Sequence, residues 1–327
     1  MPKILDLEVG PTGFGLMGFT WRPSPPPLSQ AISTLRAALE EGMNFWNAGE
    51  FYGTPQYNSL HLLAAYFTKY PEDASRVVLS VKGCFFPDSV GIDASAAGVR
   101  RSMDNILSHL GGLKKLDVFE CGRRDPKVPL AETFAALQEY VDRGELGGIS
   151  LSEVRASTIH EAAKLTKVAF VENELSLFVT DPFGNGVMAA CAEHGIPLVA
   201  YSPIGRGILG GALRSVEDVP EHLHHVPRYY PENFDHNLQL FGLVNALAKQ
   251  KGCTPAQLAI SWVRSLSQRT PELPVIIPIP GTTTVGRVRE NAKHVDLSDD
   301  EMEEIGKILA RFQAKGERYP DYIPKDT

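Results

Sequence analysis

Two side chains stand at the ends of short apolar runs. Lys82 ends V-V-L-S-V-K, and Tyr52 follows N-F-W-N-A by a few residues. Each has an ordinary use. A lysine after mostly apolar residues suits a strand end reaching for water as well as it suits an interior amine. A tyrosine there suits rim packing. If the two meet, chemistry follows. An ammonium beside a phenol favours the phenolate and lowers its pKa from the usual ~10. Such a phenol is a useful proton donor to a developing alkoxide, which suits reduction of a carbonyl by hydride from a second molecule. Asn47, where the run from Met43 to Trp46 breaks, reads first as a turn residue.

Two glycine-rich stretches suit an anionic ligand. Ser202 to Gly207, S-P-I-G-R-G, has the backbone freedom to approach a pyrophosphate, and Arg206 adds charge. Gly281 and Thr282, in G-T-T-T-V-G-R-V-R-E-N, open a helical segment whose N-terminus can cradle a phosphate. Trp21, Phe51 and Phe85 suit an apolar substrate mouth or ordinary rim packing.

These groups lie far apart in the chain, so strand ends must bring them together. Candidate strands are F-G-L-M-G-F from Phe14, N-F-W-N-A from Asn44, V-V-L-S-V-K from Val77 and L-D-V-F-E-C from Leu116. G-G-I-S-L-S from Gly147, A-F-V-E-N-E-L from Ala169, I-P-L-V-A-Y-S from Ile196 and P-V-I-I-P-I-P from Pro274 follow. Helical periodicity fills the gaps at Ser29 to Glu41, Leu60 to Tyr70, Ala94 to Leu110, Leu130 to Arg143 and Ala156 to Leu165. It recurs at Gly186 to His194, Asn237 to Gln250 and Val285 to Lys293. Ser298, before Asp299, Asp300 and Glu301, predicts a cap and acidic first turn for a last helix to Phe312.

Strands and helices alternating eightfold predict an α/β fold, a single (β/α)8 TIM barrel over residues 1–327. A long loop is expected at about 207–236 and a tail at about 313–327. The rival is an open doubly wound sheet. G-F-G-L-M-G from Gly13 matches its dinucleotide pattern, but W-R-P-S-P-P-P follows where a helix should open. In a barrel, chemistry sits at the carboxyl ends of the strands, where each candidate lies.

Composition narrows the partners. Among 327 residues, Lys plus Arg total 32 against 39 Asp plus Glu, a net charge of −7 without a block of like charge. Nucleic acid and anionic membrane are not expected partners. The dispersed Cys84, Cys121, Cys191 and Cys253 suggest a reducing compartment. M-P-K-I-L-D-L-E-V-G lacks a signal-like apolar segment, so the expectation is a soluble cytoplasmic protein. His222, His224, His225 and His236 fall in the long loop, but nothing fixes a tetrahedral set, and no metal is expected. A loop that folds over a bound cofactor is the preferred reading there.

G-M-N-F-W-N-A-G-E-F-Y-G resembles the G-[IV]-N-x-x-D-[TA]-A-x-x-Y-G signature of the aldo-keto reductases. V-V-L-S-V-K-G, G-I-S-L-S-E-V, V-E-N-E-L-S-L-F, A-Y-S-P-I-G-R-G and I-P-I-P-G-T-T-T-V-G-R-V-R-E-N resemble its later motifs, in order, over nearly the whole chain. V-G-P-T-G-F-G-L-M-G-F-T-W-R-P and C-G-R-R-D-P-K-V-P resemble the family's fungal pyridoxal reductase branch.

The resemblance implies NADPH bound without a Rossmann fold, and hydride transfer to an aldehyde, pyridoxal preferred. It implies Tyr52 as proton donor and Lys82 as the group that lowers its pKa. The two other tetrad positions depart: Asn47 stands at the Asp position and Gly122 at the His position. The branch also lacks that His and keeps the next arginine, here Arg123, a substrate-side candidate. Asn47 brings no counter-charge, so Lys82 is expected to lose its proton more readily and turnover to be slower. Asn47→Asp tests this. Implied cofactor contacts are Gly18, Ser152 and Glu172 (the usual Gln position) toward the nicotinamide end, with Tyr201 stacking on the ring. Ser202, Ile204, Gly205, Arg206, Gly207, Gly281 and Thr282 would line the phosphates, Arg287 the 2′-phosphate and Asn291 the adenine. Neutral Thr283 and Thr284 suggest a modest margin over NADH. The alternatives are a broader aldehyde or aryl-aldehyde reductase, and a low-turnover NADPH-binding regulatory module.

Overall fold

The computed structural model describes residues 1–86 and 91–323. Apart from two short hairpins, eight strands form the main sheet, in chain order: β1 (Phe14–Gly15), β2 (Phe45–Gly49), β3 (Val78–Gly83), β4 (Leu116–Cys121), β5 (Leu146–Ser152), β6 (Val168–Glu174), β7 (Leu198–Tyr201) and β8 (Ile276–Pro278). Each runs parallel to its neighbour in sequence. Gly15 bridges to Gly281, and the Gly13 amide donates to the Pro278 carbonyl at 2.9 Å, so the sheet closes on itself. This is the (β/α)8 barrel that the alternation predicts.

The helices are α1 (Leu28–Glu40), α2 (Ser59–Lys69), α3 (Ala96–Leu110), α4 (Leu130–Asp142), α5 (Ala156–Leu165), α6 (Val187–Glu193), α7 (Pro231–Lys251), α8 (Pro255–Arg269), α9 (Val285–Ala292) and α10 (Asp299–Arg311). Ser298 caps α10 in a box with Glu301. Three expectations need correction. The first strand is only Phe14–Gly15, because Met17–Thr20 turns into a helical segment. The long loop ends early, since α7 already starts at Pro231. Helix α8 escaped the periodicity argument because its residues from Ala256 to Val263 are all buried, leaving no polar face to mark a stripe. Its readable signal was T-P-A-Q, a capping box of Thr254 and Gln257 with proline at the first turn. The end of the tail, 324–327, lies outside the described residues.

Side chains alternate across each strand. Outward residues meet the helices, as Trp46 meets Tyr66 and Phe67. Inward residues form two layers. The lower is apolar: Phe45, Val78, Val118, Phe170, Val199 and Ile277 pack with Ile4 and Val9 of the N-terminal segment, which plugs the barrel floor. One step along β2, β4 and β6 the inward positions turn polar and become Asn47, Glu120 and Glu172, and on β3 Ser80 and then Lys82 follow Val78, all buried. A polar layer inside a barrel is costly unless every member is paired.

Candidate active site

Strand register sets the polar layer. Gly49 pairs with Lys82, and Lys82 with Glu120, so the three strands offer their inward residues at nearly one height. Gly49 is the next inward position after Asn47. A Cβ there would come within 3.0 Å of the Tyr52 ring, so glycine leaves the space into which that ring folds back. The Thr20 hydroxyl donates to the Tyr52 carbonyl at 2.6 Å and pins the turn. Tyr52 is buried, and Lys82 Nζ sits 5.9 Å from its ring centroid.

The Lys82 ammonium donates to Asn47 Oδ1 and to Glu172 Oε2, both at 2.7 Å. Asn47 Nδ2 in turn donates to the same Glu172 oxygen at 2.7 Å. Glu120 Oε1 lies 3.3 Å from Nζ, an ion-pair distance without hydrogen-bond alignment. Its other oxygen accepts from Asn47 Nδ2 and the Ser80 hydroxyl, each at 3.4 Å.

This corrects the account of Asn47. Lys82 does not lack a counter-charge. Burial alone would pull its pKa down, but the acids beside it outweigh that and raise it, Glu172 through the 2.7 Å contact and Glu120 once it ionises. Glu120 is pushed up to about 8, first by burial and then by Glu172, with Lys82 opposing, so at neutral pH its carboxyl is protonated. The expected direction for the phenol is also overturned. Tyr52 is raised to about 12, because desolvation exceeds the downward pull of Lys82; Glu172 adds to it, as does Glu120 in its ionised form. The ammonium moderates the rise and does not reverse it.

The mouth above is aromatic. Trp21 stacks on Tyr52 with centroids 5.4 Å apart, and Phe51 lies 4.2 Å from Phe85. At Gly122 a Cβ would fall 2.3 Å from the Phe85 ring, so that ring fills the space a side chain would need. Arg123, half-buried, donates to the Ser152 hydroxyl at 3.3 Å.

Across the same rim, Tyr201 donates to Glu153 Oε1 at 2.8 Å. Ser202, Gly205, Arg206 and Gly207 all have positive φ, with Ile204 between them, and the Gly205 and Gly207 amides donate within the turn, to the Ser202 and Ile204 carbonyls. Arg206 stands 3.5 Å from Glu174. Gly281 and Thr282 precede α9, whose N-terminus has no side-chain cap. On α9, Arg287 is exposed and pairs with no acid among the described residues, whereas Asn291 is buried. Gly18 faces open space in its short helical turn. His224 bonds the Val219 carbonyl, and His236 sits on α7 and bonds Gln313, so the loop histidines do not converge.

The sequence argument did not contain Glu120, and it left the destination of the tail open. Arg318 donates to Glu153 Oε2 at 3.0 Å and to Glu174 Oε2 at 3.1 Å. Tyr319 lies 2.6 Å from the Tyr201 hydroxyl, with Arg206 4.7 Å over its ring. Burial would raise the Glu153 carboxyl, but Arg318 and then Arg123 bring it below its ordinary value. The inward parity of Glu120 in L-D-V-F-E-C was the only sequence signal for any of these.

Residues 11–310 match the model of the Aldo/keto reductase family. The chain belongs to the aldo-keto reductase family. It is 39% identical to a probable pyridoxal reductase 2 of Schizosaccharomyces pombe, covering 98% of this chain and 97% of that one. It is 36% identical to a putative pyridoxal reductase of Saccharomyces cerevisiae, covering 94% and 95%. In fold, it resembles a glycerol dehydrogenase of Gluconobacter oxydans, with a TM-score of 0.79, 19% identity and 94% of each chain covered. As an aldo-keto reductase it is an oxidoreductase of a family that typically uses a nicotinamide cofactor. Among the described residues no helix is long and apolar enough to cross a membrane.

Proposed function

We propose that this aldo-keto reductase uses NADPH to reduce an aldehyde to a primary alcohol, with pyridoxal as substrate and pyridoxine as product. The observation that carries the reading is Tyr52, a protonated phenol beside the Lys82 ammonium under an aromatic mouth. The names of the two fungal relatives support pyridoxal.

The cofactor, when bound, supplies the hydride. The turn at 202–207, Arg206 and the uncapped start of α9 fit its phosphates, and exposed Arg287 fits a 2′-phosphate. Ser152, which accepts from Arg123, would take the nicotinamide end. Tyr52 holds the transferable proton. Its raised pKa keeps it protonated at neutral pH, and an alkoxide is a stronger base than a phenolate, so donation remains downhill. The Lys82 ammonium then lies beside the phenolate that donation leaves. Trp21 and Phe51, in contact with each other and with Tyr52, offer aromatic faces to a flat ring.

That aromatic wall would also take other aryl aldehydes, which keeps a broader aldehyde reductase as a second reading. The test is oxidation of NADPH on adding pyridoxal, beside a panel of other aldehydes. Wild type should oxidise it, and Tyr52→Phe should lose about a thousandfold in kcat while still binding NADPH. Binding without oxidation across the panel would favour an NADPH-binding regulatory module. Equal affinity for NADH and NADPH would remove the role of Arg287.

A further inference from the structure

We propose that Glu172 is the counter-ion that positions Lys82, and that Asn47 and Glu172 work as an inseparable pair: the amide at 47 is required because the carboxylate is at 172. The inference rests on the reductase reading for its activity arm only.

Three contacts form a closed triangle. Lys82 Nζ, Asn47 and Glu172 Oε2 are joined by three 2.7 Å hydrogen bonds, and each atom is used in the only sense its chemistry allows. The ammonium can only donate. The carboxylate oxygen can only accept, and it accepts from both partners. Asn47 must therefore accept through Oδ1 and donate through Nδ2, which an amide does and an ionised carboxylate cannot. An Asp at 47 would place an oxygen 2.7 Å from Glu172 Oε2 and replace an attraction with a like-charge contact. A Gln at 172 with Asn retained would leave no ionised carboxylate at hydrogen-bonding distance from the ammonium. The remaining acid, Glu120, stands farther off at 3.3 Å and is not aligned.

Asp at 47 with Gln at 172 satisfies the triangle again. The carboxylate then accepts from Lys82 and from the glutamine amide, and the net charge is unchanged. The geometry therefore predicts a reciprocal exchange: each single substitution is harmful, and the second repairs the first. Glu172 acts through Lys82, so it is a positioning residue; the Tyr52 phenol is the group that touches substrate.

The test is the isosteric set Glu172→Gln, Asn47→Asp and the double variant, with two readouts. In the first, kcat and KM are followed across pH. Glu172→Gln should lose about tenfold or more in kcat with little change in cofactor KM, and its pH profile should shift; Asn47→Asp should also fall, and the double variant should recover to within about threefold of wild type. In the second, the nitrogen resonance of Lys82, assigned by its loss in Lys82→Met, is titrated by NMR. Glu172→Gln should lower the pH at which that amine loses its proton, and the double variant should restore it. The second readout needs no turnover, so it stands if the protein proves inactive on every aldehyde. The proposal is overturned if Glu172→Gln raises cofactor KM and leaves kcat and the lysine titration unchanged. That result would make Glu172 a ligand of the cofactor amide. It is equally overturned if the double variant is no better than Glu172→Gln alone.

Discussion

Replacing Glu120 by Gln should flatten the pH dependence of stability, and the size of the effect follows from its buried position. The folded carboxyl titrates near 8 against an ordinary value of 4.5. An acid with a raised folded pKa is bound to its proton in the folded state while the unfolded state has released it. Stability therefore falls as pH rises from about 4.5 and levels off above about 8. Each pH unit inside that window is worth about 1.4 kcal/mol, so between pH 4.5 and 7 the single group removes about 3 kcal/mol. Gln keeps the shape and, like the protonated acid, carries one accepting oxygen and one donating group and brings no charge beside Lys82. Urea denaturation of both proteins at pH 5, 7 and 8.5 measures the difference, and other titrating groups cancel between them. Wild type should lose about 2.5 kcal/mol more than the variant over the lower step. Activity should follow the same charge. As pH passes 8, ionised Glu120 places another negative charge near Tyr52, raises the phenol further and slows reduction; the variant should lack that limb. Parallel stability curves for the two proteins would refute a protonated Glu120.

Other expectations follow from contacts at the mouth and the tail. Gly122→His, which installs the family side chain, should cost about 1–3 kcal/mol and fail to raise kcat, because Phe85 fills the space; adding Phe85→Ala should recover part of the loss, read by a double-mutant denaturation cycle. Arg318→Ala should cost about 1–3 kcal/mol by taking from Glu153 and Glu174 the guanidinium they share, and should speed proteolytic cleavage after residue 312. Its acid limb should change too: the depressed Glu153 carboxyl contributes stability present above its ordinary pKa and lost as pH falls, and the variant should lose less there.

The barrel was legible because each β-α unit announces itself locally, by an apolar run and then a helical stripe. Tyr52 and Lys82 were legible for the same reason: each follows a strand, and consecutive strands of a barrel are neighbours. What failed was nonlocal. Helix α8 is buried on nearly every side, so its stripe vanished into an apolar block. The phenol's pKa was read from one neighbour, Lys82, and that reading omitted burial, which a spacing argument does not contain and which here is the larger influence. The destination of the tail was not readable either, since Arg318 meets Glu153 across 165 positions of sequence.

Asn47 shows why a single departure from a family pattern is a poor guide to a buried charge. Taken alone, it removes an anion beside Lys82, and the expected result is a lysine that loses its proton. The interior of a barrel admits an ammonium only with compensation, so the loss at one inward position demands a gain at another. Parity identifies where to look. Phe45 and Asn47 face inward on β2, Ser80 and Lys82 on β3, Val118 and Glu120 on β4, and Glu172 reaches the same layer from β6. The anion at 172 was visible in the sequence as a Glu at a Gln position, but it was assigned to the cofactor amide, separately from Asn47. Joined by the barrel's closure, the two departures become one exchange of charge between strands. The consequence is a prediction opposite to the one that Asn47 alone suggests: restoring an Asp there, with Glu172 in place, should slow the enzyme.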